Sequence, residues 1–375
     1  MSDIPLEIQM EIIQRIPDIK WVIRCRSVSK SWKYVIDSKD FVTGHTLRHQ
    51  VNRHHLLIRT QDRDDKKVKY VTLLDDDTFP HQKINVFVPD AVNKFSSDSE
   101  IIGTCHGLFC LYEREADTTV IWNPLVRKTV TIAVPNKWDR YFGTIIGFGL
   151  CSSNLDPKLV KITYVYYPDK LQDVNTRTHV EVFTLSSGRT WRSPLSGNVP
   201  SQSIKIGYSQ AVIDGVIYWK AVDRNIHVDD RRRTPNLIVS FDLTSEEFTK
   251  VNLPDPLTLS RYADLSVSNL RESLAVLKFD MYTPREFCDV WMMIGQGCTR
   301  SFNKLYSISA PHALIGTTVG FRKSGEPIIE YNRYTPNELA IYEPESKHIT
   351  NIGIHGLDGT FFVHSYMETL LLLGH

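Results

Sequence analysis

Apolar residues recur with a helical period in residues 4 to 45 and with a strand period after about residue 52. Two adjacent rows at helical spacing mark the first stretch, Leu6, Met10 and Ile13 in one and Ile8, Ile12 and Ile16 in the other. The two rows predict an N-terminal helix with a broad apolar face. A unit of about 40 residues rarely buries such a surface by itself. We therefore expect part of this face to need a partner.

Proline and capping residues divide the first stretch into three predicted helices. Pro5 suits the first turn of a helix, where its missing N–H is not needed, and Pro17 ends that helix. Asp18 is placed to cap a second helix. A third helix is predicted to begin near Ser29 and to carry Trp32.

A segment that recurs five times dominates the rest of the chain: an apolar strand ending in an aromatic residue, a polar turn and another short strand. Its aromatic markers are Trp122, Phe183, Phe241, Trp291 and Tyr342, spaced by 61, 58, 50 and 51 residues, and a weaker sixth copy lies at 69–79. A period of about fifty residues with several strands per unit is typical of β-propeller blades. The pattern predicts a mostly β fold with a kelch-like propeller of six blades. A pair of β-sandwiches is the alternative, but it would not produce a regular repeat.

The same pattern predicts how each blade is built and how the ring closes. The marked segments are expected to form the outer hairpins of four-stranded blades, and residues 101–112 and 208–221 the inner strands. Asp214-Gly215 is a strong signal for a tight hairpin. The ring is expected to close by pairing of residues 55–60 with residues 360–366, the strand-like segments at its two ends.

Composition narrows the class of protein. The 44 basic and 43 acidic residues nearly cancel, whereas proteins that bind nucleic-acid phosphates usually carry a basic excess. The sequence contains neither an apolar run of about 20 residues that would span a bilayer nor a secretory signal at its N-terminus. Six cysteines in 375 residues indicate reduced thiols. We expect a cytoplasmic or nuclear protein that binds neither nucleic acid nor membrane.

A search for catalytic patterns yields little. The glycine-rich residues 143–149 do not match a phosphate-binding loop, and neither H-E-x-x-H nor G-x-S-x-G occurs. His45 and His49 stand four residues apart and His54 and His55 follow, but no cysteine or acidic residue lies nearby at ligand spacing. We expect no metal, no cofactor and no enzymatic activity.

Residues 1–45 resemble an F-box. The resemblance lies in Ile4-Pro5, Glu11-Ile12-Ile13, Arg15-Ile16-Pro17 and Val28-Ser29-Lys30-Ser31-Trp32, with Phe41 and His45 at familiar trailing positions. Ser29 replaces the usual cysteine, and one extra residue lies near Asp18. Residues 46–375 resemble the plant F-box-associated domain, also called F-box/kelch, in segments such as 103–111, 121–128 and 238–248.

The resemblance implies a substrate-recognition subunit of an SCF-type ubiquitin ligase. Its F-box would bind the Skp-family adaptor, which leads to the cullin and RING subunits, and its propeller would recruit a protein substrate whose identity the sequence does not give. One alternative is a scaffold or inhibitor that binds the adaptor without delivering a substrate. Another is a propeller enzyme or glycan binder whose helices are incidental.

Nine residues are expected to contact the adaptor: Ile4, Pro5, Ile8, Ile12, Ile13, Ile16, Pro17, Val28 and Trp32. Val28 and Trp32 are equally candidates for the core of the helical unit.

Substrate binding is expected in three polar and aromatic loops, 135–143, 222–236 and 280–287. Their candidate anchors are Trp138, Arg140, Tyr141, Arg231, Arg232, Arg233, Tyr282 and Arg285, residue types that protein interfaces favour. If several of these loops share a face, they would suit a substrate with an acidic surface.

Overall fold

The computed structural model of the protein describes residues 4–49, 54–95, 100–136, 142–167, 175–226, 234–258, 263–280, 287–295, 300–309, 314–332 and 337–372. Four helices occupy the first range: α1 (Leu6–Gln14), α2 (Ile19–Cys25), α3 (Lys30–Ile36) and α4 (Lys39–Arg48). None of the helices in the described ranges is both long and apolar enough to cross a membrane.

Polar side chains cap the short helices where the sequence indicates breaks. The Lys20 N–H donates to Asp18 Oδ1 over 2.9 Å, which confirms the predicted cap of α2. The Trp32 N–H donates to Ser29 Oγ at the start of α3 over 3.1 Å. Ser38 caps a fourth helix, α4, by accepting from the Phe41 N–H. The prediction of three helices missed α4, which ends at Arg48.

The remainder of the described chain is built from β-strands with two helices of four residues, α5 (Asp90–Asn93) and α6 (Asp255–Thr258). The strands are β1 (His54–Gln61), β2 (Val68–Leu74), β3 (Lys83–Asn85), β4 (Glu100–Cys105), β5 (Leu108–Glu113), β6 (Thr118–Asn123), β7 (Lys128–Ala133), β8 (Phe142–Leu150), β9 (Pro157–Tyr167), β10 (Asn175–Thr184), β11 (Trp191–Arg192), β12 (Ile204–Ile213), β13 (Val216–Asp223), β14 (Asn236–Asp242), β15 (Phe248–Val251), β16 (Ala263–Leu270), β17 (Ser273–Asp280), β18 (Phe287–Ile294), β19 (Ser301–Ser309), β20 (Leu314–Phe321), β21 (Pro327–Asn332), β22 (Asn337–Tyr342), β23 (Ile349–Gly356) and β24 (Phe362–Met367).

These strands form six four-stranded antiparallel sheets, the six blades that the repeat predicts. Blade 1 has the order β24-β1-β2-β3, and blades 2 to 6 are β4–β7, β8–β11, β12–β15, β16–β19 and β20–β23. The first strands of the blades, β4, β8, β12, β16, β20 and β24, contact one another and form the inner ring. The five aromatic markers all lie on third strands, β6, β10, β14, β18 and β22, so the marked segments are the outer hairpins, as predicted.

Each blade buries both of its faces against its neighbours. Six hydrophobic clusters alternate with the six blades, and each cluster draws side chains from two adjacent sheets. Trp122 and Phe241, two of the markers, are fully buried in such clusters. The repeat is therefore visible in the sequence because every blade must place a large side chain at the same interface.

The ring closes between the two ends of the propeller sequence. β24 pairs with β1 in antiparallel register, with His55 opposite Tyr366 and Arg59 opposite Phe362. This pairing confirms the predicted closure. The β12–β13 hairpin is also confirmed, because Asp214 and Gly215 both adopt positive φ angles, as its tight turn requires.

A buried carboxylate joins blades 3 and 4. Glu246, whose side chain is fully buried, accepts hydrogen bonds from Lys158 Nζ over 2.8 Å, from Arg192 Nη2 over 2.6 Å and from the Leu195 N–H over 2.9 Å. Burial alone would raise the pKa of Glu246, but these donors outweigh it and lower the pKa to about 2.

The helical unit packs against one end of the propeller. Its buried residues share one hydrophobic cluster with blades 2 and 3, a cluster that also contains Leu108 beside the β4–β5 turn. Lys39 Nζ of α4 lies 3.7 Å from Asp156 Oδ2 in the β8–β9 turn. We call this end, which carries the turns between first and second strands, the helix end, and the opposite one the far end.

Replacing Glu246 with glutamine is expected to lower the free energy of unfolding by about 3 to 5 kcal/mol, because Lys158 is left buried opposite an uncharged group. Urea unfolding followed by tryptophan fluorescence measures the change. Glu247→Gln alters the exposed neighbouring residue and should stay within about 0.5 kcal/mol of the wild type. Equal stability of E246Q and the wild type would contradict this role of the carboxylate.

The lowered pKa of Glu246 also predicts a window of acid sensitivity. Because the folded-state pKa lies below the usual value, the stabilisation is present above about pH 4.5 and is lost as the pH falls towards 2. Over that window the wild type should lose about 3 kcal/mol more than E246Q does. Parallel stability profiles of the two proteins would show that Glu246 does not titrate as the structure implies.

Candidate functional site

The nine residues predicted to contact an adaptor are divided by the structure into exposed, half-buried and buried side chains. Ile4, Pro5, Ile8, Ile12, Pro17 and Val28 are exposed, Ile16 and Trp32 are half-buried, and Ile13 is buried. All nine lie in the helical unit, at and before the start of α3.

The two apolar rows of α1 face opposite environments. Met10 and Ile13 are buried in the cluster shared with the propeller. Ile8 and Ile12, on the neighbouring row, are 49% and 55% exposed. Ile13, which is also predicted to contact an adaptor, is buried because its row turns towards the core.

Trp32 connects α3 to α1 at the border between core and surface. Its indole Nε1–H donates to Gln9 Oε1 over 2.8 Å, and its ring packs against the shared cluster while remaining half-exposed. Gln9 is held in turn by a hydrogen bond from its Nε2 to the Ile4 carbonyl over 2.5 Å. Trp32 is thus partly in the core and partly at the surface, whereas Val28 is 62% exposed.

Two exposed aromatic residues of the helical unit were missed as contact candidates. Trp21 is 56% exposed and Tyr34 is 80% exposed. The sequence does contain a signal for Trp21. Ile19 and Val22 stand three residues apart and form the inner side of α2, where both are buried. A residue between them at helical spacing points away from that side.

The exposed surface of α2 and α3 is basic. Residues 19–36 contain five lysines and arginines and no acidic residue. Arg26 is paired with Asp37, with Nε 2.6 Å from Oδ1, and the Arg24 guanidinium lies 4.6 Å from the centre of the Trp21 ring. The exposed apolar side chains of α2 and α3 thus lie among basic residues.

Two histidines, His45 in α4 and His49 directly after it, bind backbone groups at the end of α1. His45 Nε2 lies 2.9 Å from the Ile16 carbonyl oxygen and His49 Nε2 lies 2.8 Å from the Gln14 carbonyl oxygen, so both rings donate to backbone groups that the helix end leaves open. Burial lowers the pKa of His45, which favours the neutral ring. No group of three or more metal-ligating side chains is placed together within the described residues.

The eight residues predicted to bind substrate lie outside the described residues. The strands that flank their loops are β7 and β8, β13 and β14, and β17 and β18. Since neighbouring antiparallel strands turn at alternate ends of a blade, the ends of these strands lie at the far end of the propeller.

Described residues at the far end include a contact that sequence analysis missed. Arg114, in the β5–β6 turn, forms an ion pair with Glu100 at the start of β4. Its guanidinium lies 5.2 Å from the centre of the Tyr208 ring, on a bulge of the inner strand β12. Tyr208 is 56% exposed, so an aromatic surface and a cation lie together beside the inner ring. Their contact links blades 2 and 4, which are not sequence neighbours.

Comparison with known proteins identifies both parts of the chain. Residues 1–43 match the F-box domain, and residues 63–350 match the F-box associated beta propeller domain.

Curated relatives are similar to this chain over most of its length. The Arabidopsis thaliana F-box protein At3g07870 is 23% identical, over 99% of this chain and 92% of its own length. The F-box/kelch-repeat protein At3g23880 of the same plant is 24% identical, over 82% of this chain and 79% of its own length, and F-box protein CPR1 is 23% identical, over 99% and 89%. The chain therefore belongs to the F-box proteins that carry an F-box associated β-propeller domain.

Proposed function

We propose that this chain is the substrate-recognition subunit of an SCF-type ubiquitin ligase. The F-box helices bind the Skp-family adaptor, and the propeller holds a protein substrate. The observation that carries the proposal is the distribution of exposed apolar side chains. Seven of the fifteen large exposed apolar residues in the described ranges lie between Ile4 and Leu47, in about one eighth of the chain. A patch of this kind on a folded protein marks an interaction surface.

The helical unit has one covered side and one open side, which supports adaptor binding at the open side. Its inner side is already covered by the propeller and by α4, so the open side that carries Ile8 and Ile12 is left for another protein. Trp21 and Tyr34 add the aromatic anchors that binding hot spots favour.

The basic charge of the helical unit also favours a particular kind of surface on the partner. The five basic residues of 19–36 favour a surface on the adaptor that is acidic around an apolar centre. Arg24 above Trp21 holds one of these charges close to the apolar patch. The basic residues would speed association more than they would strengthen the final complex.

The mechanism that follows is proximity. Through the adaptor, the cullin and the RING subunit, the chain holds a substrate beside the ubiquitin-charged conjugating enzyme and raises the effective concentration of its lysines there. The far end of the propeller is the surface for that substrate, since the helices occupy the helix end. The chain itself makes and breaks no covalent bond in this mechanism.

Replacing both Ile8 and Ile12 with aspartate is expected to weaken adaptor binding by about 1000-fold, since two anchors at about 2 kcal/mol each are lost. Co-purification with the adaptor, followed by calorimetric titration, measures the effect. The matched control is Ile84→Asp with Ile294→Asp, which alters two comparably exposed isoleucines of the propeller. Unchanged thermal midpoints exclude unfolding as the cause. Binding of I8D/I12D at wild-type affinity would refute the proposed interface.

Reversing two charges on α3, by Lys30→Glu with Lys33→Glu, is expected to slow association with the adaptor about tenfold at low salt, with a smaller difference at high salt. Stopped-flow association at several ionic strengths measures this. Lys66→Glu with Lys67→Glu, in the β1–β2 turn at the far end, makes the same change in net charge and should leave the rate constant unaltered. Equal slowing by both pairs would show that the rate depends on the net charge of the chain and not on the position of the lysines in α3.

The half-lives of bound partner proteins distinguish a ligase receptor from a scaffold. If the chain delivers substrates, its depletion lengthens the half-lives of the proteins that co-purify with its propeller. Unchanged half-lives, with adaptor binding intact, would favour a scaffold or inhibitor instead.

A further inference from the structure

The last described residues of the chain form a buried segment between the propeller and the helical unit. After β24 ends at Met367, Leu370, Leu371 and Leu372 are 0%, 6% and 5% exposed, and Thr369 is 1% exposed. We call residues 369–372 the C-terminal wedge.

Blade 2 holds the backbone of the wedge through one buried side chain. Asn123, at the end of β6, donates from Nδ2 to the Thr369 carbonyl over 3.0 Å and to the Leu371 carbonyl over 2.8 Å. The Asn123 Oδ1 accepts from the Leu125 N–H over 3.0 Å, which fixes the orientation of the amide. Gly107, in the β4–β5 turn, leaves room for the segment because it has no Cβ atom. A Cβ atom there would lie 2.0 Å from the Met367 carbonyl oxygen.

The helices contact the other side of the wedge. Thr46 Oγ1 of α4 lies 3.2 Å from Thr369 Oγ1 in a buried hydrogen bond. The three leucines share one continuous hydrophobic cluster with Phe41 and Val42 of α4. The same cluster reaches Met10 and Ile13 of α1 and the side chains of blades 2 and 3.

Ring closure explains why the C-terminus arrives at this point. His54 at the start of β1 is paired with Met367 at the end of β24, so the chain enters and leaves the propeller at neighbouring positions on the helix end. The segment that follows β24 is therefore delivered directly beneath the helical unit.

We propose that the C-terminal wedge is the joint that fixes the orientation of the F-box helices relative to the propeller. The other described contacts include apolar side chains of blades 2 and 3 in the shared cluster, whose burial is non-directional, and a half-exposed ion pair from Lys39 to Asp156. Exposed ion pairs hold geometry weakly.

The consequence for ubiquitin transfer rests on the proposed function. If the adaptor binds the open side of the helices and the substrate binds the far end, the wedge sets the distance and direction between substrate lysines and the conjugating enzyme. The wedge contacts neither partner. It is a positioning element, and its loss would alter transfer without altering either binding step.

The test compares two truncations of the full chain. One ends at Leu372 and keeps the wedge, and the other ends at Thr369 and removes the three leucines. Asn123→Ala is a third variant, which releases the wedge backbone without shortening the chain. The thermal midpoint and the near-ultraviolet circular dichroism of each variant report whether the propeller remains folded.

Distances between spin labels give the direct measurement. Nitroxides on unnatural amino acids at two exposed positions, Lys33 in α3 and Glu345 in the β22–β23 turn, report the orientation of the helices relative to the propeller by pulsed electron resonance. We expect one narrow distance distribution in the wild type and in the chain ending at Leu372. We expect a broader distribution in the chain ending at Thr369 and in N123A. Equally narrow distributions in all folded variants, or a broad one in the wild type, would overturn the proposal.

A second readout needs no identified substrate. In a reconstituted ligase with adaptor, cullin and RING subunit, ubiquitin on the chain's own lysines is mapped by mass spectrometry. Loss of the wedge is expected to spread modification over more propeller lysines while adaptor affinity stays within twofold of the wild type. An unchanged pattern of modified lysines would contradict a positioning role. Absence of adaptor binding by the wild type would refute the proposed function, and the distance measurement would still decide the role of the wedge.

Discussion

The helical unit carries more apolar surface than its own 46 described residues can bury, and this constraint shapes the rest of the structure. One row of α1, with Met10 and Ile13, turns inward and joins the cluster of blades 2 and 3. The adjacent row, with Ile8 and Ile12, stays in solvent. The propeller thus completes the fold of the helices on one side and leaves the other side exposed.

Closure of the propeller ring determines which segments cover the inner side of the helical unit. Six blades bury both of their faces only if the ring is complete, and β24 completes it by pairing with β1. That pairing brings the C-terminus beside the entry of the chain into the propeller, where Leu370 to Leu372 fill the space beneath α4. A single continuous cluster therefore joins the first helix of the chain, the last residues and two blades.

Much of this architecture could be predicted from the sequence, because its determinants are local and repeated. The third-strand aromatic residues mark one interface per blade, and the Asp214-Gly215 turn and the two closing strands follow from alternation and turn chemistry. The exposed row of α1 was also visible as a helical period. These features depend on neighbours within a few residues or on a repeat of about fifty.

The features that escaped prediction depend on contacts between distant segments. Periodicity shows that α1 has two apolar rows but not which row the propeller covers, so it predicts adaptor contact for both Ile12 and Ile13, of which only Ile12 is exposed. Glu246 looks like an ordinary turn residue until Lys158 and Arg192 surround it from another blade. Leu370 to Leu372 read as an apolar tail because Asn123 lies about 250 residues away in sequence. The contact of Arg114 with Tyr208 requires the ring itself.

The central claim is that the helical unit divides its apolar surface between the propeller and an adaptor. Hydroxyl-radical footprinting of the full chain, free and bound to the adaptor, tests this claim most directly. The account predicts that Ile8, Ile12, Trp21 and Tyr34 are modified in the free chain and protected in the complex. Met10 and Leu370 to Leu372 should be protected in both states. Strong modification of Leu370 to Leu372 in the free chain, or unchanged modification of Ile8 and Ile12 on adaptor binding, would contradict it.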